Sequence, residues 1–322
     1  MPVNSSPTIR GRMLCASVLT YSIPFTYPIN PPNNNIQQTS PYYTGAGYLT
    51  PPTMITSNAH YSEAACTVGI TQDGIVVAFR GTVYNSPIDW MNDLLVEPVA
   101  TPGIPGKVHD GFNKAVLAIF NYMWQTVVKL QNTYPGAPLY LTGHSKGGGM
   151  APIAAYYLYN KQIKANAVYL YAPPLPGNAD FANAYNPKFP NTFLYENYQD
   201  MVPLIPPSEN TAALLDTYLG VAIIEGKISE YWIPFLIMVF GFGLVGYTAV
   251  GSAANTFYIR KPVNGVYTIV TMQNYSVVLE QIKAVADVII ADDFSAFEDA
   301  HNSRCKYGYM NALSGGICPP SI

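Results

Sequence analysis

Pro138-Leu139-Tyr140-Leu141-Thr142-Gly143-His144-Ser145-Lys146-Gly147-Gly148-Gly149-Met150-Ala151 passes from a short apolar run into a small-residue helix pattern. The pentapeptide Gly143 to Gly147 sits at the junction. A G-x-S-x-G after a strand and before a helix describes an elbow: the serine occupies a tight, strained turn, and the flanking glycines remove side chains that would collide with strand and helix. The turn pushes the hydroxyl into the open at a helix start, where unpaired backbone N–H groups favour negative charge on a bound oxygen. That environment suits a tetrahedral acyl-transfer intermediate. A plain glycine-rich loop is the bland alternative. Ala151, Ala154 and Ala155, at close-packing spacing behind the serine, favour the elbow.

Working outward, Cys66 to Thr71 and Ile75 to Arg80 are β-rich runs joined by Asp73-Gly74, a hairpin signal. A helix follows from about Asn113 to Asn132. The next elements are a strand Leu139 to Thr142, a helix to about Asn160, a strand from Ala167 to Tyr171, a helix Asp180 to Asn186 and a strand Thr192 to Tyr198. This alternation predicts an α/β fold with a mainly parallel central sheet and helices on both faces. We expect one domain over residues 1–322, with 209–256 an apolar insertion or cap within it. Residues 24 to 58, rich in Pro, Asn, Thr and Tyr, read as a long irregular surface loop. Asn264-Gly265 marks a late hairpin, and Val277 to Ile290 an amphipathic helix.

Ile233 to Ala254 carries no charge and meets the length criterion for a membrane span. Pro234 and four glycines interrupt it, and a span would split the sheet, so a buried or membrane-surface helical hairpin over the site's mouth is expected instead. Arg10 and Arg12 ahead of Met13 to Ile23 superficially resemble a signal peptide. The run is short and has no clear cleavage site, so it reads as a first domain helix. The reading favours export or membrane association.

Among 322 residues, 49% are apolar and only 11% charged, so the surface must be polar and largely neutral. A net charge of −3 gives no electrostatic reason to expect nucleic acid. Cys15, Cys66, Cys305 and Cys318 show no metal-ligand spacing. Cys305 and Cys318 lie close enough to close a small loop, and equally read as reduced thiols.

A serine nucleophile needs a base, and the base an orienting partner. The chain has four histidines. His144 adjoins Ser145 and points away from it on an elbow, His109 precedes a helix, and His60 lies upstream of the run that begins at Cys66. His301 remains. Asp200 follows the strand ending at Tyr198, where functional groups collect in open α/β sheets; Asp180 and Asp216 read as solvated helix charges. The oxyanion donors would be the amides of Lys146, just after the nucleophile, and of Thr82, after Gly81. Ser86 and Pro87 begin a short amphipathic helix that places Ile88, Met91 and Leu95 on one face with Trp90 and Leu94 beside them: a candidate lid, or a helix permanently packed on the core.

Ala78-Phe79-Arg80-Gly81-Thr82, Asp89-Trp90 with Asn92-Asp93-Leu94, Val108-His109-Asp110-Gly111-Phe112, Gly143 to Gly148 and Tyr198-Gln199-Asp200-Met201-Val202-Pro203 occur in the order seen in class 3 lipases. Over about 65 to 205 the chain thus resembles these fungal-lipase-like α/β-hydrolases. The resemblance implies an α/β-hydrolase fold and a triad of Ser145, Asp200 and His301. It implies oxyanion donors at Thr82 and Lys146, and an interfacial lid bearing Ile88, Trp90, Met91 and Leu94. It further implies a serine carboxylester hydrolase acting on lipid esters, with lipase or phospholipase A1 ahead of a small-ester or feruloyl-type esterase. No metal or organic cofactor is implied. A non-catalytic lipid-binding protein on the same scaffold is the rival. Two features depart from the family: Lys146 stands where an apolar residue is usual, and the stretch from Asp200 to His301 is long.

Overall fold

The computed structural model describes residues 5–23, 40–59, 62–82, 94–303 and 308–314. The chain opens with helix α1 (Ile9–Leu19), capped by the Thr8 hydroxyl, which accepts from Gly11 N–H. The stretch that resembles a signal peptide is therefore a packed helix, with Met13, Leu14 and Leu19 buried. Arg12 grips Asp73 in a bidentate pair of 2.6 and 2.7 Å, tying α1 to the β-turn at Asp73-Gly74.

Residues 24 to 58 are not irregular throughout. They contain helix α2 (Pro41–Ala46) and most of strand β1 (Thr53–Ala59). β1 pairs antiparallel with β2 (Ser62–Ile70), which pairs with β3 (Ile75–Phe79) across the expected hairpin. The β-branched Thr53, Ile55 and Thr56 suit a strand, but Pro51-Pro52 and polar neighbours hide that signal.

β4 (Pro98–Thr101) and β5 (Ile104–His109) form a second sheet, and β5 feeds helix α3 (Asp110–Thr133). Then come β6 (Leu139–His144), α4 (Lys146–Asn160), β7 (Ala167–Tyr171), the short β8 (Gly177–Asn178), α5 (Ala179–Tyr185) and β9 (Thr192–Asn197). The charge-poor region makes α6 (Glu209–Ile224), α7 (Trp232–Phe242) and the two-residue β10 (Tyr247–Thr248). β11 (Thr256–Ile259), β12 (Ile269–Thr271), α8 (Tyr275–Ile290), α9 (Phe294–His301) and α10 (Tyr309–Leu313) complete the described chain.

The main sheet runs β1-β2-β3-β6-β7-β9-β11-β12. β3, β6, β7, β9 and β11 are mutually parallel, with Phe79 opposite Gly143, His144 opposite Tyr171, Tyr171 opposite Tyr195, and Asn197 opposite Ile259. Their C-terminal ends therefore share one edge. Alternation along β3 sends Val77 and Phe79 to the face covered by α3 and α4, and Val76 and Ala78 to the face covered by α1 and α10. On the α1 face, rings stack from strand to strand: Tyr171 on Tyr195 at 5.2 Å, and Tyr195 on Phe257 at 5.1 Å. Burying side chains of this size contributes about 1.5–3 kcal/mol each. That holds both faces of the sheet and makes its C-terminal edge a rigid base.

The charge-free run is not one helix. α7 is 11 residues long, Gly246 at φ 80° turns the chain, and Tyr247–Thr248 joins β8 at the edge of the second sheet. No helix among the described residues is long and apolar enough to cross a membrane.

Candidate active site

Ser145 follows β6 directly and stands one residue before α4, with φ 59° and ψ −133°. For a non-glycine residue this is a costly region of backbone space, of order 1–3 kcal/mol, and it persists only where neighbours impose it. Here Ser145 N–H donates to Tyr171 O at 2.9 Å, and Ser145 O accepts from Gly148 N–H at 2.7 Å. The flanking glycines allow the bend. A Cβ on Gly143 would lie 2.2 Å from the backbone of Gly147, and one on Gly147 would lie 2.3 Å from Phe79 O. Strand β3 thus presses against the elbow from one side. Gly81 lies against His144 O, so Thr82 follows beside the same turn.

The imidazole comes from the far end of the chain. His301 ends α9, and its Nδ1 lies 3.0 and 3.1 Å from the two carboxylate oxygens of Asp200. Asp200 sits three residues beyond β9. Its carboxylate also accepts from Tyr309 O–H at 2.6 Å and from Val202 N–H at 3.0 Å. With Nδ1–H donating to the carboxylate, Nε2 is the basic nitrogen of the ring. All three groups are buried: Ser145 is 1% exposed, His301 2% and Asp200 0%. Ser145 Oγ makes no hydrogen bond among the described residues.

Two further anchors hold the last turn of α9. His144 Nε2–H donates to His301 O at 2.8 Å, while its Nδ1 accepts from Tyr21 O–H at 2.9 Å. Burial first, then the neighbouring His301, holds the His144 ring well below the usual imidazole range, so it is neutral and carries the single proton this bonding needs. Asn197, the last residue of β9, donates from Nδ2 to Ala300 O at 2.9 Å. Its backbone N–H donates to Tyr309 Oη.

The remaining sequence candidates fall elsewhere. His109 is stacked on Phe112 at 3.7 Å, accepts from Phe112 N–H to cap α3, and donates to Leu94 O at 3.1 Å. Its burial brings its pKa down to about 4. Asp180 and Asp216 are exposed on α5 and α6. Leu94, expected on the lid helix, lies in a turn and is buried in the main core. Ile88, Trp90 and Met91 lie outside the described residues, as do His60, Cys305 and Cys318; Cys15 and Cys66 are buried thiols. Lys146 is half-buried, and its charge acts on the His109 ring. Among the described residues no cluster of His, Cys, Asp and Glu could hold a metal.

Tyr309, Asn197 and Tyr21 escaped the sequence reading. So did Glu196, a β9 carboxyl that accepts from Gln281 Nε2 at 2.7 Å; burial, with a smaller push from Asp200, raises its pKa to about 7. A shallow depression between Lys164–Val168 and Phe189–Asn191 lies at the opposite edge of the sheet, away from all these groups.

Residues 76–210 match the Lipase (class 3) family. Over that stretch the chain is similar to class 3, fungal-lipase-like α/β-hydrolases. The class 3 match spans β3 to the start of α6, and so includes Thr82, Ser145 and Asp200 but not His301. A lipase of Rhizomucor miehei is 32% identical over 145 residues, covering 44% of this chain and 39% of that protein. A secreted mono- and diacylglycerol lipase of Malassezia restricta is also 32% identical over 145 residues, covering 42% and 48%. The chain thus spans less than half the length of these two relatives. The crystal structure of a mono- and diacylglycerol lipase from Aspergillus oryzae shares the fold, with a TM-score of 0.62 at 18% identity, over 96% of this chain and 97% of that one.

Proposed function

We propose that this chain is a serine carboxylester hydrolase acting on lipid esters. The observation that carries the reading is a strained, glycine-flanked serine whose neighbour His144 bonds the His301 carbonyl, together with an Asp200–His301 pair supplied from 55 and more residues downstream. His301 Nε2 takes the Ser145 proton, Oγ attacks the ester carbonyl, and the amides of Lys146 and Thr82 receive the oxyanion. Collapse releases the alcohol, protonated by His301, and leaves an acyl-enzyme. Water, activated by the same ring, then frees the carboxylic acid. Each oxyanion donor would contribute about 10²–10³ in rate.

Lipid esters come ahead of small esters for two reasons. The two relatives that are 32% identical over 145 residues are described as lipases, and the helices between Asp200 and His301 expose apolar surface. In this reading 209–256 is an insertion within a single hydrolase domain, the segment around Trp90 is the lid, and lipid surface is the working environment. An extracellular site of action goes with it, since the Malassezia relative is described as secreted.

The test is covalent labelling of the full chain by a fluorophosphonate, beside a p-nitrophenyl ester series from C2 to C16 and a phospholipid. Ser145→Ala should lose the label and at least about 10³ in rate while its melting temperature holds. A variant that keeps its activity would overturn the assignment. A wild type that favours C2 over every longer chain would move the substrate to small esters.

A further inference from the structure

The solvent-facing side of α7 breaks the rule that surface helices obey. An ordinary surface helix buries one apolar stripe and shows polar residues to water. α3 does so: its exposed positions include Lys114, Asn121, Gln125 and Lys129. α8 does so as well, with Glu280, Lys283 and Asp287 outward. α7 buries Trp232, Phe235, Leu236 and Val239, yet its exposed positions are Pro234, Ile237 and Gly241, and the stripe continues to Leu244. Ile237 is 66% exposed and Leu244 88%. At the end of the neighbouring α6, Val221 and Ile224 are 63% and 87% exposed. No charged residue occurs from Tyr231 to Ile259.

We propose that the α6–α7 hairpin is a docking surface for an electrically neutral lipid surface, lying flat on it with Ile224, Ile237 and Leu244 inserted. This deepens the lipid-ester reading and rests on it for the choice of lipid as occupant. Length excludes a span: 11 residues at about 1.5 Å each cover roughly 16 Å, against about 30 Å of hydrocarbon. Charge selects the lipid. Membrane-surface helices that seek anionic lipid carry Lys and Arg on their flanks. Residues 209–245 instead hold Glu209, Asp216, Glu225 and Glu230 against Lys227, which pairs with Glu225 at 2.5 Å.

The surface is also wired to the site. Trp232 stacks on Phe294 with centroids 4.3 Å apart and planes 4° from parallel, and donates to Asp292 at 2.9 Å. Phe294 begins the helix that ends at His301. A lipid-bound hairpin therefore presents the His301 side of the molecule to the interface.

The experiment measures sedimentation of the full chain with sucrose-loaded phosphatidylcholine vesicles, with and without phosphatidylserine, for wild type and for Ile237→Gln/Leu244→Gln. Both positions are exposed, so folding should hold. A second pair, Val221→Gln/Ile224→Gln, reads the same face from the other helix. We expect each pair to cut partitioning at least about tenfold, phosphatidylserine to weaken binding at low salt, and hydrolysis of a water-soluble short-chain ester to stay unchanged. Equal partitioning of wild type and both variants overturns the proposal. So does a wild type that ignores vesicles but self-associates through this face. Tighter binding to phosphatidylserine overturns the choice of neutral lipid. Vesicle binding needs no turnover: a chain that partitions through the hairpin yet hydrolyses no ester would sink the enzymatic reading and leave this one standing.

Discussion

Replacing Glu196 with glutamine should make the protein more stable in weak alkali and change little in weak acid. Glu196 lies on β9 with 7% of its surface exposed, and its described hydrogen bond comes from Gln281. Burial lifts its pKa from an ordinary 4.5 to about 7, and the Asp200 carboxylate adds to the lift. The folded state therefore holds a proton that the unfolded chain gives up. The stabilisation is complete below about 4.5 and is lost as pH rises through about 7. At about 1.4 kcal/mol per pH unit across that gap, the whole effect is roughly 3 kcal/mol, of which about 2.5 falls between pH 5 and 8. Glutamine matches the protonated carboxyl in shape and never ionises. Urea unfolding of wild type and Glu196→Gln at pH 5, 6, 7 and 8 should show the variant gaining about 2–3 kcal/mol relative to wild type across the series, or roughly 4–6 °C in melting temperature. His109, held near 4, gives both proteins an opposite slope: stability present above about 6.5 and lost as pH falls towards 4. That slope cancels in the difference. A stability difference that stays constant from pH 5 to 8 would refute the reasoning.

Tyr309→Phe removes the hydroxyl that donates to Asp200 and accepts from Asn197 N–H. A hydrogen bond to a charged group contributes about 1.5–3 kcal/mol, so kcat/KM on a short-chain ester should fall roughly ten- to a hundred-fold; an unchanged rate would show that His301 needs no such support. Gly147→Ala places a methyl 2.3 Å from Phe79 O, where only backbone can yield. Overpacking at such a point should cost about 1–3 kcal/mol, visible as a lower urea midpoint, and a neutral result would mean that β3 and the elbow separate easily. His144→Phe leaves the buried carbonyl of His301 without its donor; a loss of about 1–3 kcal/mol is expected, together with slower turnover that added imidazole does not restore.

The parts of the site that were legible in the sequence are those whose geometry is local. The elbow can be read because two glycines flank the serine within five residues, and their absence of side chains is what the turn requires. Asp200 can be read because it follows a strand closely. The hairpin at Asp73-Gly74 is local in the same way. His301 was reached only by elimination among four histidines, since nothing near it in sequence marks a base. Tyr309 was not reached: it is one of 26 tyrosines and meets Asp200 across 109 residues of chain. Strand β1 was missed because its pairing with β2, rather than its own composition, makes it a strand. The charge-free run meets the length criterion for a span, but Pro234 and its glycines signal the interruption, and in the fold Phe235, Leu236 and Val239 pack inward while Gly246 and Gly251 turn the chain.

The long stretch between Asp200 and His301 does not have to guide the imidazole. The last turn of α9 is fixed at three points: Asn197 holds Ala300 O, His144 holds His301 O, and Asp200 meets the ring. All three partners stand at or just beyond the C-terminal ends of β6 and β9, two neighbours of β7 in the parallel sheet. Lengthening the loop costs closure entropy that grows only logarithmically, about 0.6 kcal/mol per doubling. Fixed anchors of this kind outweigh it. This stretch is therefore at liberty to carry surface suited to another task, and the apolar outer face of α7 is where its composition departs furthest from an ordinary surface helix.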